Sequence, residues 1–111
     1  MEKEPLLTLE FEYIGEESRK AEVGLYRRDS DSRNRTEVFR GFIDKTPDDA
    51  PSTVATKALS RYVKNGDYSG IDEKDRPILE ALRGKDRWNV GISNTRIVDG
   101  KIRMDVDVFG D

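Results

Sequence analysis

Apolar and charged residues alternate strictly in the last part of the chain. The apolar positions there are Ile102, Met104, Val106 and Val108. A period of two is typical of a strand with one buried face and one face in water. Just upstream, Asp99 and Gly100 lie between apolar residues, and Asp-Gly in that setting is the strongest short-range signal of a hairpin turn. The pattern therefore predicts a C-terminal β-hairpin over residues 88–109.

The same alternation predicts three strands in the first part of the chain. A first strand carries inward Leu, Leu, Phe and Tyr side chains, at Leu7, Leu9, Phe11 and Tyr13. Residues 14–18 contain a glycine and two glutamates and are interpreted as a turn. The second strand covers roughly residues 19–28, and the third covers residues 35–44. In the third strand we expect Phe39 and Ile43 on one side, and Val38 and Phe42 on the other.

Two helices are predicted in the middle of the chain. Apolar residues spaced by three and four from Val54 to Val63 form a stripe that can pack on a sheet, and Pro51 is a suitable first residue for this helix. We expect Gly66 to end the helix in a left-handed conformation. A second, short helix is predicted from a cap at Asp72 to a stop at Gly84.

The order of elements is thus strand, strand, strand, helix, helix, strand, strand. This order predicts an α+β fold, with a mostly antiparallel sheet of about five strands and both helices packed on one face. The length of 111 residues indicates one domain over residues 1–111, with residues 1–5 as a disordered tail. The order of the strands within the sheet stays open.

The amino-acid composition limits the kinds of active site and metal site that this chain can form. The chain has no cysteine and no histidine, and 39% of its residues are charged, with a net charge of −3. A Ser-His-Asp triad, a Cys-His dyad and an ordinary zinc site are therefore excluded, and we expect no cofactor. No apolar run approaches the length of a membrane span, and the first residues do not resemble a signal peptide. We expect a cytoplasmic protein with no membrane partner.

Charge is divided unevenly along the chain. Residues 1–18 carry one basic and six acidic residues, a net charge of −5, whereas residues 19–45 carry eight basic and five acidic residues, a net charge of +3. The basic segment contains five arginines near a hairpin loop, which are Arg27, Arg28, Arg33, Arg35 and Arg40. Such arginines can follow a phosphate backbone, with aromatic neighbours stacking on bases. The alternative is a solvated loop whose arginines pair with nearby acids.

Three further side chains are candidate binding residues. Lys57 and Arg61 share one face of the first predicted helix and could extend the basic patch, or they could form its ordinary solvent face. Tyr68 lies between the two helices. We interpret it as the aromatic residue most accessible to a partner.

Aspartates of the last hairpin are candidate ligands for a metal site. Asp105 and Asp107 share the polar face of the last strand, and Asp99 precedes it in the turn. Two carboxylates at this spacing can bind Mg²⁺ or Mn²⁺ when a third acidic ligand joins them. The alternative is the ordinary polar face that alternation alone predicts.

Three hypotheses about function follow. The first is a small non-catalytic protein-binding module, such as an inhibitor, an immunity-type or antidefence factor, or an adaptor subunit, because a divided charge steers association with a charged partner. The second is a nucleic-acid-binding protein that uses the arginine loop. The third is a magnesium-dependent phosphoryl-transfer or nuclease-type enzyme. A homodimer through an edge strand is also open.

Overall fold

The computed structural model describes residues 4–28, 35–66, 68, 73–86 and 88–110, without the side chain of Arg28. Its elements are β1 (Leu7–Glu17), β2 (Lys20–Arg28), β3 (Arg35–Asp44), α1 (Pro51–Asn65), α2 (Arg76–Arg83), β4 (Asn89–Val98) and β5 (Lys101–Phe109). The strands form one antiparallel sheet in the order β3-β2-β1-β5-β4. The α+β fold and its order of elements are confirmed.

The C-terminal hairpin has the predicted turn. Val98 is paired with Lys101, and the two residues between them have positive φ angles of 52° at Asp99 and 77° at Gly100. Positive φ at both central positions is the requirement that makes Asp-Gly a favoured turn sequence. Strand β4 begins one residue after Trp88, which is half-buried and packs against the core.

The first hairpin differs from its prediction. Strand β1 continues through Glu17, and the chain reverses in a tight turn at Ser18 and Arg19. Ser18 has a φ of 55°, which is the left-handed region that a residue other than glycine seldom occupies. Gly15 does not form the turn. It lies inside β1, where the pairing with β2 is irregular between Tyr13 and Gly15.

Helix α1 begins at Pro51 as predicted and buries the predicted apolar stripe. It ends at Gly66, but the prediction of a left-handed cap is wrong, since Gly66 has an extended backbone with φ −74° and ψ 160°. A Cβ atom at Gly66 would lie 2.3 Å from the carbonyl oxygen of Tyr62. Glycine is therefore required here by a close approach rather than by a positive φ.

Helix α2 is shorter than predicted and begins at Arg76, directly after Asp75, while the predicted cap at Asp72 lies outside the described residues. Gly84 follows its last residue as expected. Leu79 and Leu82 are its buried side chains. These two leucines join α1 and the inner face of the sheet in one apolar core.

Alternate residues of the strands form the inner face of the sheet, and most of the buried ones belong to β1, β2 and β5. On β1 these residues include Leu7, Leu9 and Phe11, and they are fully buried. On β3 the expected position of Val38 is wrong: an irregular pairing between β2 and β3 turns it toward the core, where it lies near Leu7 and Leu9. The opposite face, here called the open face, carries no helix or strand of the described residues.

Candidate functional site

Two glutamates of the central strand are buried on the open face of the sheet. Glu10 and Glu12 are only 4% and 5% exposed, although no helix or strand in the described part of the chain lies over them. Three arginines cover them instead: Arg35, Arg96 and Arg103. We refer to these five residues as the arginine–glutamate cluster. Buried carboxylates are costly unless they are paired, and the cluster supplies that pairing.

Arg35 bridges the two glutamates. Its Nε lies 3.1 Å from Oε1 of Glu10, and its Nη2 lies 3.6 Å from Oε2 of Glu12. The guanidinium also stacks over the ring of Tyr26, at 3.8 Å from the ring centroid. Nε of Arg35 makes no hydrogen bond within the described residues, so charge attraction and stacking, which a planar guanidinium can combine, account for its position.

Arg96 and Arg103 approach the glutamates from the other side. Arg96 donates from Nη2 to Glu10 at 2.5 Å and from Nη1 to Asp105 at 3.3 Å, and Arg103 donates from Nε to Glu12 at 2.8 Å. The register places Glu10 beside Asp105, and Glu12 beside Arg103. The pairing of β4 with β5 is irregular between Ser93 and Arg96. Arg96 is therefore positioned by a distortion of its own edge strand.

The electrostatics of Glu12 follow from these contacts. Burial alone would raise the pKa of its carboxyl, because a charge in a low-dielectric site is unfavourable. The hydrogen bond from Arg103 and the positive charges of Arg35 and Arg103 outweigh burial and hold the pKa below its ordinary value. Glu12 is thus an anion at neutral pH. Tyr26 donates a hydrogen bond to it at 3.2 Å, and burial together with the negative charge of Glu12 raises the pKa of the phenol.

The structure does not bring the predicted arginine patch together. Arg35 belongs to the arginine–glutamate cluster, whereas Arg27 lies on the opposite, helix-bearing face of the sheet. Arg40 is exposed on β3 and lies near Glu22 and Glu37. Two members of the predicted patch, the side chain of Arg28 and residue Arg33, lie outside the described residues.

Arg27 is held by a buried carboxylate. Its Nε and Nη2 donate to the two carboxylate oxygens of Asp75 at 2.7 and 3.2 Å, and its Nη1 donates to the carbonyl oxygen of Thr8 at 3.1 Å. Asp75 is only 3% exposed. This two-point contact joins strand β2 to the start of α2, so Arg27 has a partner within its own chain.

The basic side chains of α1 also find partners within the fold. Arg61 donates to the carbonyl oxygen of Phe42 at 2.8 Å. Lys57 donates to Asp49 at 2.8 Å and to the carbonyl oxygen of Asp44 at 3.4 Å. Phe42 and Asp44 belong to β3, an edge strand of the sheet. These two cations therefore cover part of a sheet edge rather than extend the predicted patch.

The expectation that Tyr68 is an accessible contact is wrong. Tyr68 is buried, packs edge-to-face on Tyr62 at 5.6 Å between ring centroids, and donates its hydroxyl proton to the carbonyl oxygen of Val63. The guanidinium of Arg83 lies 4.2 Å from its ring centroid. Tyr68 lies inward because its ring packs beside α1 and its hydroxyl satisfies a helix carbonyl group.

The three hairpin aspartates do not converge. Asp105 accepts from Asn94 and Arg96, and Asp107 accepts from the hydroxyl of Thr8 at 2.7 Å. Asp99 lies in the turn at the far end of the hairpin. Among the described residues, no three acidic side chains are grouped as a metal ion would require.

Alternation along β1 and β5 places Glu10, Glu12 and Arg103 on the side of the sheet opposite the apolar residues, but it gives no signal for Arg96 or Asp75. The alternation along β2 indicates that Arg27 faces inward, because it is two residues from Leu25 and four from Val23, which are both buried. No comparable pattern marks Arg96, because its position depends on the irregular pairing of β4.

Comparisons with known protein families, with curated protein sequences and with solved structures find no match to this chain. In the described part of the chain, α1 and α2 lack the length and apolar character that a bilayer-spanning helix needs.

Proposed function

We propose that this chain is a small non-catalytic module that binds another protein through the open face of its sheet, as an inhibitor, an immunity-type or antidefence factor, or an adaptor subunit. The observation that supports this proposal is the arginine–glutamate cluster. It places three guanidinium groups against buried carboxylates on a face that no described helix or strand covers. Arginines that are already ordered lose little conformational freedom when a partner binds, and arginine is enriched among residues that dominate binding energy.

The balance of charge on this face favours a protein partner over nucleic acid. The three arginines of the cluster are matched by Glu10, Glu12 and the neighbouring Asp105, so the cluster with this aspartate has no net positive charge. A phosphate backbone is bound by an uncompensated basic footprint. A protein surface offers both signs of charge and can match a mixed pattern.

The proposal includes a location in the cytoplasm. A chain without cysteine needs no oxidising compartment for its folding. Fractionation of host cells with an antibody against the chain tests this part of the proposal, because recovery in a membrane or secreted fraction would contradict it.

The main test is affinity purification from host cells with three baits. One is the wild type, and one carries the open-face charge exchange Glu22→Arg with Arg40→Glu, which alters an exposed ion pair without changing the net charge. The third is a matched control on the exposed surface of α2, Arg76→Glu with Glu80→Arg. We expect a stoichiometric protein partner on the wild type and on the α2 exchange, and a reduction of about tenfold or more on the open-face exchange.

Two outcomes would overturn the proposal. A partner retained equally by the open-face exchange would show that another surface binds it. Material that nuclease treatment removes, and whose capture falls steeply with salt, would support nucleic-acid binding instead.

A further inference from the structure

Phe42 is an exposed aromatic side chain at one edge of the open face. It lies on the edge strand β3, is 45% exposed, and is paired in register with Glu22 of β2. The apolar surface of a half-exposed phenylalanine on a sheet edge is removed from water only when a partner covers it. It is therefore the first residue to consider as an anchor for whatever binds this face.

A cleft adjoins this ring. The tip of the β1–β2 hairpin and Phe42 border an open surface cleft of about 460 Å³, lined by Glu17, Ser18, Arg19, Lys20 and Phe42. We refer to it as the Phe42 cleft. Its volume falls in the range of sites that accommodate a few side chains of a ligand.

The cations of the Phe42 cleft are available to a partner. Within the described residues, Arg19 and Lys20 make no ion pair or side-chain hydrogen bond, whereas the arginines of the arginine–glutamate cluster are all engaged. Glu17 is the one acid in the lining, so the cleft has two basic groups and one acidic group. Charge complementarity therefore favours an acidic occupant.

The backbone carbonyl groups of β3 beside the cleft already accept hydrogen bonds, so they are less available to a partner than the two cations. The carbonyl oxygen of Phe42 accepts from Arg61 at 2.8 Å, and that of Asp44 accepts from Lys57 at 3.4 Å. A peptide that joined the sheet as an added strand would have to displace these two side chains from the edge. Side chains that enter the cleft from the open face need displace neither.

We propose that the Phe42 cleft is the anchor site for an acidic segment of a protein partner that carries one bulky apolar side chain. The apolar side chain packs on the ring of Phe42, and flanking carboxylates pair with Arg19 and Lys20. This inference rests on the proposed function, because it names the chemistry of the partner at one end of the open face.

A peptide titration followed by ¹H–¹⁵N NMR of the full chain tests the inference. The probe is acetyl-Asp-Asp-Leu-Phe-Asp-Asp-amide. One control peptide replaces its aspartates by lysine, and the other replaces Leu-Phe by Ala-Ala. We expect saturable shifts from the probe that centre on residues 17–20 and 41–43. Each control peptide should bind about tenfold or more weakly.

Variants of the chain sharpen this test. Lys20→Glu and Phe42→Ala should each weaken binding of the probe by about tenfold or more, and both side chains lie outside the core, so the dispersed spectrum of the folded chain should be retained. Lys101→Glu is the matched charge control, because Lys101 is exposed in the other hairpin. It should bind the probe as the wild type does.

The inference is overturned if the probe causes no localised shifts up to about 5 mM, or if the lysine peptide binds equally well. Equal binding by Lys20→Glu and Phe42→Ala would also overturn it. Its failure is distinguishable from failure of the proposed function. If the open-face exchange loses the host partner while the probe does not bind, the proposed function stands and the cleft assignment falls. If the probe binds but the exchange retains the partner, the proposed function falls, and only the binding of acidic peptides to the cleft stands.

Discussion

Arg27 illustrates how a buried partner decides the role of a basic residue. In the sequence it stands among other arginines and resembles part of a basic surface. In the fold it faces the helices and makes a two-point contact with Asp75. Asp75 is nearly inaccessible to water, so its charge depends on this arginine for compensation.

Replacement of Arg27 by methionine should therefore destabilise the fold. Arg27→Met leaves the carboxylate of Asp75 without its counter-charge, and we expect a loss of about 2 to 3 kcal/mol in the free energy of unfolding. The control is Arg40→Met, which breaks a solvent-exposed pair and should cost less than about 1 kcal/mol. Urea unfolding of both variants measures the difference. Equal losses in the free energy of unfolding would show that the buried contact of Arg27 stabilises the fold no more than the exposed pair of Arg40 does.

Two glycines offer a second comparison at the scale of single residues. A Cβ at Gly66 would lie 2.3 Å from the carbonyl oxygen and 2.6 Å from Cδ1 of Tyr62, whereas a Cβ at Gly15 would meet no atom within 4 Å. We expect Gly66→Ala to lower the free energy of unfolding by about 1 to 3 kcal/mol, because the end of α1 must shift. Gly15→Ala should be neutral or slightly stabilising. Thermal unfolding measures the stability of both variants. A similar melting temperature for the two would contradict the steric argument.

Residue-level periodicity therefore predicted which face a side chain lies on better than it predicted what the side chain contacts. The inward residues of β1 and β5 follow directly from alternation. The pairing of Arg27 with Asp75 could not be read in the same way, because it joins residues 48 positions apart. The inward position of Tyr68 likewise depends on the packing of Tyr62, which no local pattern reveals.

Whole elements were predicted well where local turn chemistry is strong. The Asp-Gly turn and the start of α1 at Pro51 are examples. The turn at Ser18 was misplaced, because serine rarely adopts a positive φ and the nearby Gly15 gave a stronger false signal. The order of strands in the sheet follows from tertiary pairing between the two ends of the chain, and alternation within each strand does not determine it.

The edge of β3 leads to a prediction about self-association. Lys57 and Arg61 of α1 occupy carbonyl oxygens of this edge strand, and an uncovered edge is a template for pairing with another chain. The double variant Lys57→Ala with Arg61→Ala should fold but associate more strongly, by about tenfold or more, than the wild type.

Sedimentation velocity over a range of concentrations measures that association. The control is Ser60→Ala, an exposed position of the same helix whose side chain makes no hydrogen bond among the described residues. The control should sediment as the wild type does. If the double variant also does so, the two cations do not protect the edge.

At the scale of the whole molecule, the two faces of the sheet are organised by different forces. One face packs α1 and α2 on an apolar core. The other brings charges from β1, β3, β4 and β5 together over the central strand. Four of the five strands thus contribute to the arginine–glutamate cluster, so disruption of the cluster should affect the stability of the sheet as a unit.

The stability of the molecule should consequently fall in acid in a way that depends on Glu12. Its pKa in the folded chain lies below the ordinary 4.5, so its stabilising contribution is complete above about that pH and is lost as the pH falls through the folded value. The carboxylate of Glu12 binds a proton more readily in the unfolded chain than in the folded chain, so acid favours unfolding. In Glu12→Gln, which is less stable at neutral pH, the free energy of unfolding should change less between about pH 5 and pH 2.5 than in the wild type.

Salt separates this effect from that of an exposed carboxylate. The hydrogen bonds from Lys45 and Tyr13 lower the pKa of Glu16, but Glu16 lies at the surface, where salt screens its ion pair. The difference in acid sensitivity between wild type and Glu16→Gln should therefore shrink at about 1 M salt, whereas that between wild type and Glu12→Gln should persist, because the arginines shield Glu12 from the solvent. Urea unfolding across pH at low and high salt measures both differences. If salt abolishes both equally, the carboxylate of Glu12 is as solvated as a surface group, and the open face is not the ordered array of charges that protein binding through it requires.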